Sequence, residues 1–343
     1  MQQEKRNYFI SVLPRLLILI LFLLCQPQTV QAVERQELVP VGQTVGVTMD
    51  TKGLLVLGTG VVAGGDDRPC APCKGILKEG DLVLEADGKP MENKEAFLEA
   101  VENSEGKTMI LLLERDGKER EVKIKPVFSA ADNAYKIGAW IRDSIQGIGT
   151  VTYYDPNKNT FGALGHGVYD VDTGELMEIR DGSLVTAELT EIVKGQKGAA
   201  GELIGKVELK DKLAKIEENT KVGIYGTAER EIFYGEAMPV AQIGEIRKGE
   251  AVLLSDLEGG EVKEYKIRIE NIDRDGAKDN KDMTIRITDE RLLQLTGGIV
   301  QGMSGSPIVQ DGKLIGAVTF VMLNEPSKGY AIYIGNMLSD LIS

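Results

Sequence analysis

The sequence predicts a mainly β protein built as two folded parts behind an export leader, and three observations carry that prediction. Its apolar runs are short and are punctuated by Gly and Asp instead of continuing at helical spacing. Forty glycines against 5% aromatic residues suit many strands and tight turns better than long helices. A chain of 343 residues, 42% hydrophobic and 27% charged, has room for two domains that each bury a core.

The first element is the leader, residues 1–32. Lys5, Arg6 and Arg15 precede an uninterrupted apolar run from Leu16 to Cys25, and Val30-Gln31-Ala32 offers small residues for cleavage. The run is shorter than the roughly 20 residues that span a bilayer, but extending it back across Pro14 and Arg15 makes an uncleaved anchor an alternative. Phe22-Leu23-Leu24 before Cys25 lacks the small residue that lipid attachment needs. The formal net charge is −13, and losing the leader makes the remainder more negative still. So acidic a chain is not expected to bind nucleic acid.

Residues 33–41 read as a linker, and from Gly42 short strands begin. Residues 44–49 and 54–62 are expected as strands, 74–84 as a turn and strand closed by Asp87-Gly88, and 93–103 as a helix opened by Asn93. Residues 108–114 and 119–125 pair as strands across Asp116-Gly117. The run from Gly75 to Pro90, Gly-Ile-Leu-Lys-Glu-Gly-Asp-Leu-Val-Leu-Glu-Ala-Asp-Gly-Lys-Pro, resembles the PDZ family, so residues 42–127 are expected to form a PDZ-like α+β domain. The resemblance implies a peptide ligand added to a sheet edge, with Gly42, Gly46 and Val47 as candidates for holding it. The same glycines would equally serve a simple turn.

Residues 128–343 form the second part, with strand-like runs at 136–140, 147–154, 160–165, 203–209, 221–225, 264–272, 283–287 and 314–322. Many short strands and few helices suggest a sandwich or barrel, closed by a helix at 335–342.

The sharpest chemical signal is Gly302-Met303-Ser304-Gly305-Ser306-Pro307, which sets a serine between glycines just before a strand and an Asp311-Gly312 hairpin. A serine nucleophile needs that tight turn, and the backbone N–H groups of Gly302 and Ser304 are placed to stabilise an oxyanion. A general base must be His166, the one histidine of the chain, flanked by Gly165 and Gly167. The carboxylate that would orient it is left open among Asp289, Asp170 and Asp172. Asp170 and Asp172 also suit a turn at Thr173-Gly174, and Asp289 also suits a helix cap.

Cys70-Ala71-Pro72-Cys73 could close a small disulfide, remain as thiols or shuttle electrons. Its Pro-framed, Gly-rich surroundings lack the strand-to-helix setting of a redox motif, and one histidine with no second Cys pair argues against zinc. Neither metal nor cofactor is expected.

The Ser304 segment, continuing through Gly-Lys-Leu-Ile-Gly-Ala-Val-Thr-Phe, resembles the nucleophile region of chymotrypsin-like peptidases, with Met303 where those have Asp. That resemblance implies a double β-barrel for 128–343 and makes Thr319, Phe320 and Val321 the strand that pairs with substrate. Together with His166 in Gly-Ala-Leu-Gly-His-Gly and Asp289 in Ile-Thr-Asp, the chain is similar to the sporulation stage IV protein B peptidases. Membership would imply Ser304 as nucleophile, His166 as base and Asp289 as orienter. It would also imply export across the forespore inner membrane into the space between the two cells. There the enzyme would cleave its own N-terminal segment and a membrane-associated regulatory protein, releasing activation of a late mother-cell sigma factor. The rival expectation is an exported PDZ-containing adaptor with an inactive peptidase fold.

Overall fold

The computed structural model describes residues 35–339 apart from 66–67, 171–173, 231–232, 259 and 275–278. The leader therefore lies outside the described residues. The chain is mainly β, as its punctuated apolar runs predict. Strands β1 (Glu37–Pro40) and β2 (Thr44–Thr59) come first, followed by β3 (Leu82–Ala86), helix α1 (Lys94–Asn103) and the hairpin of β4 (Met109–Arg115) and β5 (Lys118–Ile124). Next come β6 (Ala139–Asp155), β7 (Thr160–Ala163), β8 (Ile179–Val193), β9 (Glu202–Thr220) and β10 (Gly223–Ala228).

The first barrel is the ring β2–β6–β7–β10–β9–β8, closed where β8 returns to β2. Val45, Val47 and Met49, two residues apart on β2, face its interior with Leu184, Ile216 and Ile224. Each such side chain contributes about 1.5–3 kcal/mol on burial.

Beyond Met49 the same two strands leave the barrel and build a second core. The β2–β6 ladder continues through Val56↔Ile141 and Gly58↔Trp140, and β2 then hands on to β3, β4 and β5. Helix α1, capped by Asn93 through a 2.8 Å bond from Ala96 N–H, covers this sheet with Phe97 and Val101. Leu54, Val83, Met109 and Leu111 fill the space between.

The PDZ-like part is thus inserted between two strands of the first barrel, and the expected division at 42 and 127 needs correction at both ends. Residues 44–49 bury their apolar side in the barrel, whereas Ile137 and Ile141, beyond the expected end, pack into the inserted core. Gly53 marks the changeover, since a Cβ there would sit 2.6 Å from the Val83 carbonyl oxygen.

The second barrel closes among β11 (Gly249–Glu258), β12 (Glu261–Ile272), β13 (Met283–Ile287), β14 (Pro307–Gln310), β15 (Lys313–Val321) and β16 (Lys328–Tyr333). Helix α2 (Glu290–Thr296) follows β13, and α3 (Ile334–Ser339) follows β16. Leu253, Tyr265, Ile267, Ile285 and Val318 lie in its core. The two barrels are stitched by buried polar contacts: Thr44 donates from N–H (2.9 Å) and from its hydroxyl to the Asp256 carboxylate.

Candidate active site

The nucleophile turn owes its shape to two glycines. Gly302 (φ +96°) and Gly305 (φ +95°) occupy backbone conformations that other residues rarely adopt. A Cβ on Gly305 would fall 2.1 Å from the Thr150 carbonyl oxygen, and one on Gly302 would meet the Leu203 side chain at 2.9 Å. Between them Met303, where chymotrypsin-like peptidases have Asp, is fully buried in the second barrel's core. The turn is held from the other barrel by β6. The Thr150 N–H donates to the Ser304 carbonyl at 3.0 Å, and the Thr150 and Thr152 hydroxyls donate to the carbonyls of Gly302 and Gly305, each at 2.8 Å.

The same network frees two donors. The Gln301 carbonyl accepts from the Leu203 N–H (2.9 Å) and the Met303 carbonyl from the Ser306 N–H (3.0 Å). In a trans peptide the following N–H points the opposite way. Among the described residues the N–H groups of Gly302 and Ser304 have no protein acceptor. Two unpaired donors, one on the serine itself and one two residues ahead of it, are what an oxyanion requires.

His166 is delivered by β7. The chain leaves that strand through Leu164 and Gly165, both at φ +70°, and a Cβ on Gly165 would touch Thr319 and Ile332 at 3.1 Å. This sharp turn sets the imidazole against β15, where it stacks on Phe320 with ring centroids 5.1 Å apart and planes inclined by 21°. Its Nδ1 is 2.8 Å from the Gly167 carbonyl oxygen. A carbonyl can only accept, so Nδ1 carries the proton and Nε2 keeps a lone pair for base catalysis. Burial pushes the imidazole below its ordinary pKa, and the Gly167 carbonyl offsets part of that shift.

Ser304 and His166 therefore meet on consecutive residues of one strand. The Ser304 hydroxyl donates to the Thr319 carbonyl at 2.8 Å, and His166 lies on Phe320. Nucleophile and base are not hydrogen-bonded to each other here, and catalytic contacts of this kind commonly tighten only with substrate. Thr319, Phe320 and Val321, the expected substrate strand, sit beside both groups at an irregularity in the β15–β16 pairing. A peptide laid along them would need the Thr319 carbonyl that Ser304 now holds.

The expected orienter is elsewhere. Asp289 caps α2, accepting from the Arg291 N–H (3.0 Å), the Arg291 guanidinium (2.9 and 3.1 Å) and the Lys266 N–H (3.2 Å). The Arg291 bond, foremost, holds its carboxyl down at about 2. With His166 Nδ1 on Gly167, the structure does not bring Asp289 to the imidazole, and its local signal as a helix cap was the sound one. Asp170 is buried against Arg142 at 2.7 Å. Asp172 lies outside the described residues.

Gly46 and Val47 likewise belong to the first barrel, and Gly42, just ahead of β2, packs against the second, so none of them lines a peptide cleft. A Cβ on Gly46 would collide with Val207 and Val185 at 2.4 and 2.8 Å, Val47 is in the barrel core, and Gly42 abuts Leu254. The cleft of the inserted part lies between α1 and the start of β6, lined by Phe97, Leu98, Val101, Ile137 and Ile141. At its end Gly138 takes φ +72°, and the N–H groups of Ile137 and Gly138 have no acceptor among the described residues. Sequence reading passed over this segment because it registered 136–140 only as a strand. The available signal was Gly138 within that run, between the apolar Ile137 and Ala139.

Cys70 and Cys73 are free thiols, and burial pushes the Cys73 thiol up to about 12. So protonated a thiol is a poor nucleophile at neutral pH, which disfavours the electron-shuttle reading. Among the described residues no cluster of His, Cys, Asp and Glu could hold a metal ion.

A family model described as SpoIVB peptidase S55 matches residues 133–338. No curated protein matches the chain. Among solved structures, the PDZ domain of an SdrC-like protein from Listeria monocytogenes is 22% identical, covering 26% of this chain and 87% of that one with a TM-score of 0.22. The active form of the Rv3671c protease from M. tuberculosis is 16% identical over 58% of this chain and 74% of that one, with a TM-score of 0.34. The HtrA-type protease AlgW with a decapeptide is 12% identical over 89% of this chain and 65% of that one, with a TM-score of 0.35.

Proposed function

Because the chain belongs to the SpoIVB peptidase S55 family, and is therefore a serine peptidase, we propose that it acts as an endopeptidase of endospore formation. In this reading it cleaves its own N-terminal segment and a membrane-associated regulatory protein between forespore and mother cell, and so signals activation of a late mother-cell sigma factor. The carrying observation is the convergence on one strand of a strained serine turn with two unpaired N–H donors and a neutral imidazole with Nε2 open.

The chemistry follows from those atoms. A substrate strand pairing along Thr319–Val321 takes over the Thr319 carbonyl and releases the Ser304 hydroxyl. Nε2 of His166 accepts the hydroxyl proton as Oγ attacks the peptide carbonyl, and the carbonyl π electrons move onto oxygen facing the Gly302 and Ser304 N–H groups. The imidazolium returns its proton to the leaving amine, and water, activated by the same imidazole, releases the acyl group.

Export is supported by the basic residues and apolar run of the leader. Among the described residues no helix is long and apolar enough to cross a membrane. The cleft beside α1 would take a peptide ligand.

The reading is tested by mapping new N-termini in the purified full chain by mass spectrometry over time, beside Ser304→Ala and His166→Ala, with a fluorophosphonate probe for Ser304. Cleavage and labelling in the parent that vanish in both variants support it. An intact, unlabelled parent would leave the adaptor.

A further inference from the structure

Among the described residues no carboxylate is hydrogen-bonded to His166, where a serine peptidase base is expected to have one. Among the described residues its contacts are the Gly167 carbonyl, one residue away in the chain, and the ring of Phe320. Asp289 and Asp170 are committed to Arg291 and Arg142. An imidazole held at one nitrogen by its own backbone neighbour can still rotate about that bond. The group stacked on its plane is the nearly parallel aromatic ring of Phe320, 5.1 Å away.

Phe320 is well placed for that duty. It lies in β15 one residue beyond Thr319, whose carbonyl holds Ser304, so one strand sets both the nucleophile and the base. Its ring is also braced by a charge: Lys281 Nζ lies 5.8 Å from its centroid and 5.4 Å from that of Tyr330. Yet Phe320 is 37% exposed, more than packing alone would favour for an aromatic residue.

We propose that Phe320 is the positioning residue of His166, serving where a carboxylate would: it holds the ring plane, and its π face meets the positive charge when Nε2 takes the Ser304 proton. A cation over an aromatic face is attracted by the ring quadrupole. Lys281 draws on the same ring, its Nζ 5.8 Å from the centroid, so the imidazolium is favoured less than it would be on an unshared ring. This rests on the peptidase reading for its consequence but not for its geometry, and the experiment separates the two.

The single histidine makes the test direct, because its imidazole proton signals belong to His166 alone. In the full chain carrying Ser304→Ala, these signals are followed by NMR against pH, alone and with Phe320→Leu, Phe320→Tyr, Lys281→Met or Asp289→Asn added. Leucine keeps the ring covered while removing the π face. The signals should lie upfield of free histidine in the Ser304→Ala chain. The titration midpoint should fall with Phe320→Leu, stay with Phe320→Tyr and Asp289→Asn, and rise with Lys281→Met. With Ser304 present, Phe320→Leu should slow fluorophosphonate labelling at saturating probe by about fivefold, the size of one such contact, and Phe320→Tyr should restore it. Absence of the upfield shift overturns the proposal without any substitution at Phe320. A midpoint that moves with Asp289→Asn and not with Phe320→Leu also overturns it. A parent that never labels while the NMR results hold would sink the peptidase reading and leave the stacking intact.

Discussion

The Ser304 hydroxyl donates to the carbonyl oxygen of Thr319, 2.8 Å away on β15, and this one bond ties the state of the nucleophile to the strand beside it. A substrate that extends along β15 competes for the same acceptor, whereas a small ester does not. Catalytic efficiency should therefore rise by about tenfold when a minimal ester substrate is lengthened on its N-terminal side, the equivalent of one hydrogen bond. N-methylation of the amide that reaches Thr319 should abolish the gain. Equal rates for short and long substrates would show that the Ser304–Thr319 bond does not matter.

The nucleophile turn is held from the opposite barrel by Thr150, whose hydroxyl reaches the Gly302 carbonyl at 2.8 Å. Thr150→Val keeps the shape and removes the donor. The half-buried carbonyl then lacks that bond, which should cost about 1 kcal/mol of stability in denaturant unfolding. It should also slow acylation more than it changes KM if, as proposed, the unpaired Gly302 N–H is one of the two oxyanion donors. An unchanged acylation rate would mean the turn holds its shape without β6.

The acid limb follows from His166. Its pKa is lowered in the folded chain, so as pH falls below about 6.5 the unfolded state takes up the proton first. Stability should decline as pH falls through that window, and fluorophosphonate labelling should keep its full rate to a lower pH than a solvent-exposed histidine would allow. His166→Gln should flatten the stability decline while abolishing labelling. A labelling midpoint above 6.5 would contradict the burial.

Asp289 has the opposite linkage. Its carboxyl, held at about 2 mainly by Arg291, contributes stability at and above ordinary carboxylate pKa values that is lost as pH falls through about 4 toward 2. As the N-cap of α2 it should cost about 1 kcal/mol on replacement by Ala. Peptidase activity per folded molecule should stay within about twofold for Asp289→Asn, since the carboxylate accepts from Arg291 and Lys266 and not from His166, whose Nδ1 is on Gly167. A loss of several orders of magnitude would restore Asp289 as the orienter.

The cleft beside α1 offers two unpaired N–H groups and an apolar lining, so it suits a peptide C-terminus with an apolar last residue. Peptides of that kind should bind the Ser304→Ala chain, and their C-terminal amides should bind at least about tenfold more weakly, as expected for loss of a charge-assisted bond. Gly138→Val should remove binding, because a Cβ there would lie 2.7 Å from the Gly60 carbonyl oxygen. Equal affinity for acid and amide would exclude carboxylate capture.

Much was legible in the residues themselves, because it depends on local chemistry. Glycines around Ser304 and His166 announce tight turns, one histidine leaves one choice of base, and alternating apolar residues in 44–49 mark a half-buried strand. The N-cap role of Asp289 was equally local. The closed barrels, the insertion and the partner of His166 were decided by tertiary structure, because each depends on residues far apart in sequence. Val47 reads alike in a barrel or a peptide cleft until Leu184 is opposite it. Phe320 reads as a substrate-strand residue until the chain brings His166, more than 150 positions earlier, onto its face. Pattern fixes which side of a strand is buried, but not what it is buried against, and that second fact sets the chemistry of the site.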